Sequence, residues 1–306
     1  MNKRSLIKAK GNWGRHLPQI FFTITGSFII FVLLGILTLL FSKAAPFFSK
    51  VNPLDFLLGK TWNPTSSVRE TYGIASLFVS TLMVTVAAMT MAIPIGIGCA
   101  LYISEIAPPK LRNVLKPAIE LISSIPSVVI GFLGLIILAP FIARVFGLSH
   151  GMNALTGAIL LGFMSLPTII SFSEDAIKNV PASYREASYA IGANRWETLI
   201  KVVLPAAYRG VFASIMLGFG RAVGETMTVL MVTGNAPGMP KSLLDPARTL
   251  TATVAIEMGE VPFHSVHYHG LFALGLILFI ISFLINIASW FITSKKNRRS
   301  ICLKKR

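Results

Sequence analysis

Two charged residues stand four positions apart within a long apolar run. Arg221 and Glu225 lie inside the apolar segment 207–234. A charge at the centre of a bilayer costs at least about 2.5–3.5 kcal/mol on insertion scales, so such residues usually face a bundle interior or a water-filled path. Residues four apart share one face of a helix and can pair. The spacing therefore predicts an Arg–Glu pair near the middle of a membrane helix.

Two interpretations of this pair are open. In one, the pair neutralises itself and only holds helices together, since buried pairs can serve specificity alone. In the other, Arg221 lines a translocation path and lowers the barrier for an anion, while Glu225 keeps the anion from being held too tightly. Gly220 and Gly224 form a small-residue patch that lets another helix approach closely. We expect the second interpretation, with Arg221 and Glu225 on the path.

A second stretch, 183–205, is polar and helix-forming although apolar segments flank it. Ser183 and Glu186 have the spacing of a capping box, in which each side chain bonds a free backbone N–H of the first turn. Asn194 and Glu197 repeat that spacing. The stretch therefore predicts two short helices folded into a hairpin, with Glu186 in a mainly structural role.

Other residues set the turn and the end of this hairpin. Gly192 suits the left-handed position that ends a helix. Ala187 and Gly192 are small and permit the close approach of a partner. Pro205, which follows Leu204, is expected to stop or bend the second helix near its entry into the next span.

The hairpin also has two open interpretations. It can be a structured loop without a partner, because capping explains a sharp hairpin in either case. It also carries four large apolar side chains that need a surface to bury against, and aromatic residues are favoured interface anchors. These side chains are Tyr184, Tyr189, Ile191 and Trp196. We expect the hairpin to dock onto another protein.

Two weaker patterns do not predict sites. Gly59-Lys60-Thr61 matches the last three residues of a phosphate-binding loop. Such a loop also needs a glycine five residues before Gly59, at position 54. Position 54 is leucine, so we expect no nucleotide site, and any ATP and Mg would be used by a partner. The spacing of His264, His267 and His269 matches no common metal site, and we expect no metal there.

The composition predicts an all-α polytopic membrane protein. The 306 residues are 54% hydrophobic and 13% charged, whereas soluble domains carry roughly 25% charged residues. Several segments exceed the about 20 apolar residues that span a bilayer. Pro94 and Pro126 are expected to kink or break the second and third spans, which are long. The six predicted spans are 17–41, 73–104, 114–143, 154–172, 207–234 and 268–293.

The distribution of basic residues predicts both termini inside. The net charge is +16, but the Lys and Arg residues cluster beside apolar spans, which favours orientation and anionic lipid over nucleic-acid binding. With the N-terminus inside, the inner segments hold 20 Lys and Arg residues and the outer segments 7. We therefore divide the chain into a basic cytoplasmic N-terminus (1–16), a transmembrane domain (17–293) and a basic cytoplasmic tail (294–306). The hairpin 183–205 is then cytoplasmic.

Several stretches together resemble the C-type permease subunit of the phosphate-specific (Pst) ABC importers. The resemblance runs roughly from residue 60 to 290. Its strongest piece is Gly220-Arg-Ala-Val-Gly-Glu-Thr-Met227. Further matching stretches are Trp62-x-Pro64, Arg248-Thr-Leu-Thr-Ala252, Glu257-Met-Gly-Glu260 and His267-Tyr268. The hairpin, from Glu186-Ala187-Ser188 through Gly192 to Leu204-Pro205, resembles the EAA loop of ABC importer permeases.

The resemblance implies a type I ABC importer permease fold in the bacterial cytoplasmic (inner) membrane. This chain would be a non-catalytic subunit that forms a heterodimer with an A-type permease above an ABC ATPase dimer. An extracytoplasmic phosphate-binding protein would deliver inorganic phosphate. The family's docking segment falls on 183–205, and its transport residues on Arg221 and Glu225. Ser188 departs from the second alanine of the EAA name, and Ser80-Thr81 from the more usual Gly-Thr; both are expected to preserve the fold.

Three alternatives stay open. The first is an ABC permease for another oxyanion, such as molybdate or sulfate. The second is an ion-coupled secondary transporter that uses Arg221 and Glu225 as a charge relay, although such proteins need no ATPase-docking hairpin. The third is a scaffold that reports phosphate status to a sensor kinase, a role that could coexist with transport.

Overall fold

The computed structural model describes residues 13–67 and 69–294, and nearly all regular structure within them is helical. The predicted all-α class is confirmed, with one short antiparallel ribbon in which Trp62 faces Tyr72. The ribbon strands are β1 (Trp62–Asn63) and β2 (Thr71–Tyr72). The helices are α1 (Trp13–Phe48), α2 (Pro53–Leu58), α3 (Ala75–Leu101), α4 (Pro109–Ser123), α5 (Ser127–Leu133), α6 (Ala139–Phe146), α7 (Ala154–Lys178), α8 (Ala182–Ala190), α9 (Arg195–Thr198), α10 (Leu204–Gly224), α11 (Met227–Val232), α12 (Leu250–Glu257) and α13 (Val266–Ser294). Three π-helical turns extend or join them: Tyr102–Ile106, Gly134–Leu138 and Leu199–Val203.

Six helical segments of the described chain are long and apolar enough to cross a membrane. They are Pro18–Phe48, Ala75–Ile106, Ser127–Phe146, Ala154–Lys178, Arg195–Gly224 and Val266–Thr293. Six passes place Trp13 and Ser294, the two ends of the last stretches described, on one side, in keeping with the predicted orientation. Most of the two basic ends, 1–12 and 295–306, lies outside the described residues, as does Cys302.

The third pass begins later than predicted. Its apolar part starts at Ser127, because the backbone leaves the helix between Ser123 and Pro126. The prediction that the third span kinks or breaks at Pro126 is therefore right, whereas its predicted start at residue 114 is wrong, because the apolar segment starts at Ser127. By contrast, α3 continues through Pro94 as one helix.

The helix α4 nevertheless runs along the inner half of α7. Lys116 bonds Glu174, four residues before the end of α7. Thr228 bonds both the Ser127 carbonyl and Met164, which lies fourteen residues before that end. The chain therefore advances about 15 Å along α7 between Lys116 and Ser127, as eleven helical residues would. It follows that α4 and α5 run in the same direction along α7.

The fifth pass also differs from its prediction. The segment 207–234 is not one helix, because α10 ends at Gly224 and α11 starts at Met227. At its other end the helical backbone runs back through the turn Leu199–Val203 to Arg195. Pro205 lies in the first turn of α10, where its missing N–H is not needed. Of the two predicted effects of Pro205, a stop of the second hairpin helix is therefore wrong, while a bend there stays a prediction.

The helix α7 is the centre of the bundle. It packs against α3 on one side and α10 on the other, while α1 packs against α13 at the periphery. The cluster between α3, α7 and α10 contains small and medium side chains, including Ala88, Ala158 and Ile169, each with no exposed surface. Small side chains let these helices approach closely. The site described below lies on this rigid core.

An aromatic cluster closes the predicted outer end. The Phe47 ring meets Phe56 at 5.1 Å and Tyr72 at 5.3 Å between centroids, both edge to face. The Trp62 ring meets Tyr72 at 5.8 Å, so the ribbon packs onto the same cluster. Burial and a hydrogen bond to Glu70 raise the pKa of the Tyr72 hydroxyl above its ordinary value. Residues 47–72, which the predicted orientation places outside, are therefore packed into the fold.

Candidate functional site

The polar centre of the bundle is the break between α10 and α11. Gly224 is the last helical residue of α10, and Glu225 adopts an extended backbone with ψ of 130°. The i,i+4 rule applies only within one continuous helix. Within residues 18–293, Val68 aside, Arg221 forms no ion pair. The predicted Arg221–Glu225 pair is therefore wrong in this structure.

Arg221 occupies the last turn of α10 and is exposed. Its Nη1 donates to the Thr168 hydroxyl at 3.3 Å. The carbonyl end of a helix carries partial negative charge, which stabilises a cation there. A guanidinium has five N–H donors, so most of this one remains available. Such a group can bind an oxyanion at two points.

Thr168 places Arg221 within the bilayer. It lies ten residues from Lys178, the inner end of α7, and fourteen from Ala154, the outer end. At 1.5 Å per residue these separations are about 15 Å and about 21 Å. A bilayer core is about 30 Å thick. The guanidinium therefore reaches α7 near its middle, as the sequence predicted.

Glu225 is held by the start of the next helix instead of by Arg221. Its Oε1 accepts from the Thr228 backbone N–H at 3.2 Å. Its backbone carbonyl accepts from the Thr251 hydroxyl at 2.9 Å. An acid at the N–H end of a helix is favoured by the helix dipole. Arg221 and Glu225 are thus stabilised separately, each by a helix end.

The break depends on hydroxyl side chains that the sequence analysis did not single out. Thr228 donates to the Ser127 carbonyl at 3.0 Å and so ties α11 to α5. Thr168 and Thr251 supply the contacts to Arg221 and Glu225. Hydroxyls inside apolar spans often bond backbone within their own helix, which makes these partners invisible in sequence. Thr251 belongs to the stretch 248–252, which resembles the Pst permeases. That resemblance is the one sequence signal that points to any of these three threonines.

The glycines beside the break lie in open space. A Cβ built on Gly220 or Gly224 would meet no atom of another element within 4 Å. No other helix of the described chain packs against the predicted small-residue patch at Gly220 and Gly224. The surface that carries Arg221 is therefore open to whatever lies opposite it in an assembly.

The predicted hairpin forms, but its first capping box does not. Pro181 is the N-cap of α8, and no side chain caps it. Ser183 then falls inside the first turn, too late to bond the orphan N–H groups. Glu186 is exposed, with no bonded partner among the described side chains. The structural role expected of Ser183 and Glu186 is wrong, and both side chains are free to meet a partner.

The second cap and the turn are as predicted. The Asn194 side chain accepts from the Glu197 N–H at 2.8 Å, and Glu197 reaches back to the Asn194 N–H at 3.1 Å. Gly192 has φ of 88°, in the left-handed region. A Cβ there would meet nothing within 4 Å. Gly192 is therefore required by its backbone conformation and not by space.

Ser188 has a specific role in the hairpin. Its hydroxyl is buried and lies 2.8 Å from the Thr198 hydroxyl, which joins α8 to α9. An alanine could not make this bond. The departure from the EAA pattern therefore adds a contact to the hairpin.

A clamp that the sequence analysis missed fixes the hairpin to the bundle. Arg185 Nε donates to Glu105 Oε1 at 3.2 Å, across 80 residues of chain. Arg185 also donates to the carbonyls of Val180 and Ile177 at the end of α7, at 2.7 and 3.1 Å. Arg195 bonds the Glu105 carbonyl. The hairpin is consequently bonded to the turn Tyr102–Ile106 and to the end of α7.

The hairpin presents an apolar surface. Tyr184, Tyr189, Ile191 and Trp196 are 53%, 47%, 85% and 62% exposed. Ala187 and Val202 line a shallow groove together with Ser183 and Tyr184. Leu204 packs partly buried against the inner core. An apolar groove bordered by aromatic side chains is the usual form of a protein contact.

The hairpin connects directly to Arg221. Helical backbone is continuous from Arg195 to Gly224. Arg221 lies 26 residues from Arg195, about 39 Å along that helix. A displacement of the hairpin can therefore reach the break through a single element.

Comparisons with known proteins agree with this architecture. Residues 92–296 match the family model "Binding-protein-dependent transport system inner membrane component". The chain is 42% identical to the Probable ABC transporter permease protein YqgH of Bacillus subtilis (strain 168), over 80% of this chain and 79% of that protein. It is 37% identical to the Phosphate transport system permease protein PstC of Mesorhizobium japonicum, over 76% and 75%.

Solved structures share the fold. A bacterial ABC transporter involved in the import of the acidic polysaccharide alginate aligns with a TM-score of 0.62 at 12% identity, over 93% of this chain and 99% of that one. The MetNI methionine ABC transporter, in an inward-facing conformation, aligns with a TM-score of 0.53 at 22% identity, over 72% and 93%. The chain therefore belongs to the family of binding-protein-dependent transport system inner membrane components, and it is a multi-pass permease of the bacterial inner membrane with the ABC importer fold.

Proposed function

We propose that this permease carries inorganic phosphate into the cell as part of an ATP-driven importer. The observation that carries the proposal is the unpaired Arg221 guanidinium beside the break in the fifth pass. It offers free donors to an oxyanion at mid-membrane depth. Relatives called phosphate transport system permease, 31–37% identical over about 80% of the chain, support phosphate as that anion.

The partners follow from the same proposal. An A-type permease would face the open surface around Gly220 and Gly224, and an extracytoplasmic phosphate-binding protein would deliver the anion from outside. An ABC ATPase dimer would dock on the hairpin and hydrolyse ATP with Mg, so this chain itself performs no catalysis. The exposed groove at Ala187 and the free Glu186 support that contact.

The substrate is tested by uptake in proteoliposomes that hold the full complex. We expect ATP-dependent accumulation of ³²P-phosphate that excess unlabelled phosphate suppresses and that sulfate and molybdate leave unchanged. Transport of sulfate or molybdate without phosphate uptake would keep the importer but overturn the substrate. That outcome would establish the other-oxyanion alternative.

The coupling surface is tested with a matched pair of variants. Ala187→Glu places a charge in the groove, whereas Ala190→Glu places the same charge on α8 outside it. Burying an unpaired charge in a contact is strongly unfavourable, so Ala187→Glu should reduce ATPase co-purification at least about tenfold. Ala190→Glu should reduce it much less, because this position lies outside the groove although it is beside Tyr189 and Ile191. Equal retention of the ATPase by both variants would contradict docking at this groove.

A further inference from the structure

Four sequence stretches that carry the family resemblance meet at one carboxylate on the outer side. Glu257, the last residue of α12, accepts from Trp62 Nε1 at 2.9 Å. Its other oxygen accepts from Arg248 Nη1 at 3.1 Å. His267 Nε2 lies 2.7 Å from Oε2. Trp62 and Glu257 are 195 residues apart in the chain, so no local pattern relates them.

This carboxylate is fully engaged and largely removed from water. The side chains of Glu257, Arg248 and His267 are 14%, 20% and 12% exposed, and Trp62 is 2% exposed. A carboxylate removed from water needs several donors to offset its lost hydration, and it has three here. Loss of the carboxylate would leave Trp62 and Arg248 without that partner, which costs more than the bond itself contributes. The three partners and the carboxylate therefore hold one another in place.

The opposite end of α12 touches the break in the fifth pass. Thr251 donates to the Glu225 carbonyl at 2.9 Å. The Leu250 N–H bonds the Thr81 hydroxyl at 3.0 Å, which fixes that end on α3. Thr251 and Glu257 are six residues apart, about 9 Å along the helix. The helix α12 therefore links the outer cluster to the residue that follows α10.

Arg248 fixes the other side of the break as well. Its Nε donates to the Asn235 carbonyl at 2.8 Å, and Asn235 in turn donates to the Leu230 carbonyl of α11 at 2.6 Å. The Ala247 N–H bonds the Thr233 carbonyl at 2.8 Å. The outer cluster thus holds both α12 and the loop that leaves α11.

We propose that Glu257 is a positioning residue for the transport path: it fixes α12 so that Thr251 holds the break at Glu225 in place. Glu257 itself touches no substrate in this scheme, because Trp62, Arg248 and His267 occupy its carboxylate. The inference rests on the proposed path role of Arg221 and Glu225. Trp62, Arg248 and His267 then share one role, which is to hold the Glu257 carboxylate.

Hydrogen exchange of the assembled complex tests the positioning without any substrate. Glu257→Gln should speed backbone exchange in 250–257 and also in 225–232, because the first segment holds the second. Glu260→Gln is the matched control, since Glu260 is an exposed acid in the same cleft without a bonded partner among the described side chains. It should leave both segments unchanged. Unchanged exchange in 225–232 for Glu257→Gln would overturn the proposal.

Uptake kinetics separate positioning from docking. In proteoliposomes with ³²P-phosphate and its binding protein, Glu257→Gln should lower the maximal rate about tenfold, since a bond to a charged group is lost. The concentration of loaded binding protein that gives half the maximal rate should stay the same. Thr251→Val should produce a similar loss, and the double variant should lose little more, because both act on one linkage. Multiplicative losses would refute the linkage.

Two further comparisons distinguish a failure of the positioning proposal from loss of assembly and from a failure of the proposed function. If Glu257→Gln does not assemble, the same exchange measurement is made on Trp62→Phe and Thr251→Val. Trp62→Phe removes the bond to Glu257, and Thr251→Val removes the bond to the Glu225 carbonyl. If wild type takes up no phosphate, the proposed function fails, while the exchange result still decides the role of Glu257.

Discussion

Two charged constellations in this permease are built in opposite ways. At the break in the fifth pass, Arg221 and Glu225 do not pair, and Arg221 keeps most of its donors free. At the outer end, Glu257 is engaged by Trp62, Arg248 and His267 within a mostly buried cluster. A free charge can bind a ligand, whereas an engaged charge fixes structure. The contrast fits the two proposals, in which the first constellation serves transport and the second serves positioning.

The largest effect is expected at Arg221. Arg221→Gln removes the only free cation that the described chain places at the break, and a preorganised donor to an anion contributes about a hundredfold in rate. Phosphate uptake by the full complex should fall by about that factor, with assembly unchanged. Arg221→Lys should recover part of the rate, because the charge remains but the planar fork is lost.

Arg144→Gln is the control for that variant. Arg144 is also an exposed arginine in the last turn of a helix, α6, but it lies far from the break. It should transport at the wild-type rate. If Arg221→Gln did the same, the free guanidinium would have no part in transport.

A smaller effect is expected at Glu225, whose carboxylate caps α11. Glu225→Leu removes the acceptor for the Thr228 N–H and should slow uptake about tenfold. Glu225→Gln keeps an acceptor oxygen and loses only the charge, so its uptake should fall about threefold or less. Uptake rates of the two variants at matched complex content decide this. A larger loss in Glu225→Gln than in Glu225→Leu would point to the charge and away from the cap.

The smallest effect is expected at Trp62. Trp62→Phe keeps the ring in its aromatic cluster and removes only the hydrogen bond to Glu257, which should lower the free energy of unfolding by about 1 kcal/mol. Trp290→Phe is the control, because Trp290 is 63% exposed on α13. Thermal unfolding of the purified complex compares them. Identical unfolding temperatures would mean that the outer cluster contributes no stability through Trp62.

Local signals made much of the fold predictable from sequence. Apolar length marked the six passes, and Pro126 marked the break in the third. The Asn194–Glu197 cap and the Gly192 turn were correct because each depends on residues within four positions. Ser183 failed as a cap because Pro181, with its extended backbone, is already the N-cap, so α8 begins two residues too early for it.

The site itself was only half predictable. The position of Arg221 followed from its place in an apolar run, but its pairing did not, because the i,i+4 rule assumes an unbroken helix and α10 ends at Gly224. The Arg185–Glu105 clamp joins residues 80 positions apart, and Trp62 and Glu257 are 195 apart. Such contacts arise from tertiary packing and leave no periodic trace. Trp62, Arg248, Glu257 and His267 all lie in stretches that resemble the Pst permeases. The resemblance did not show that these four side chains meet in the fold.

Double-mutant cycles on both constellations test the central claim most directly. Uptake rates of wild type, the single variants and the double variant would be compared for Arg221→Gln with Glu225→Gln, and for Arg248→Gln with Glu257→Gln. Residues without a shared contact give effects that multiply, whereas bonded residues do not. We predict multiplicative losses for the first pair and much less than multiplicative losses for the second. A first pair as strongly coupled as the second would show that Arg221 and Glu225 act as a bonded unit, which would contradict the account.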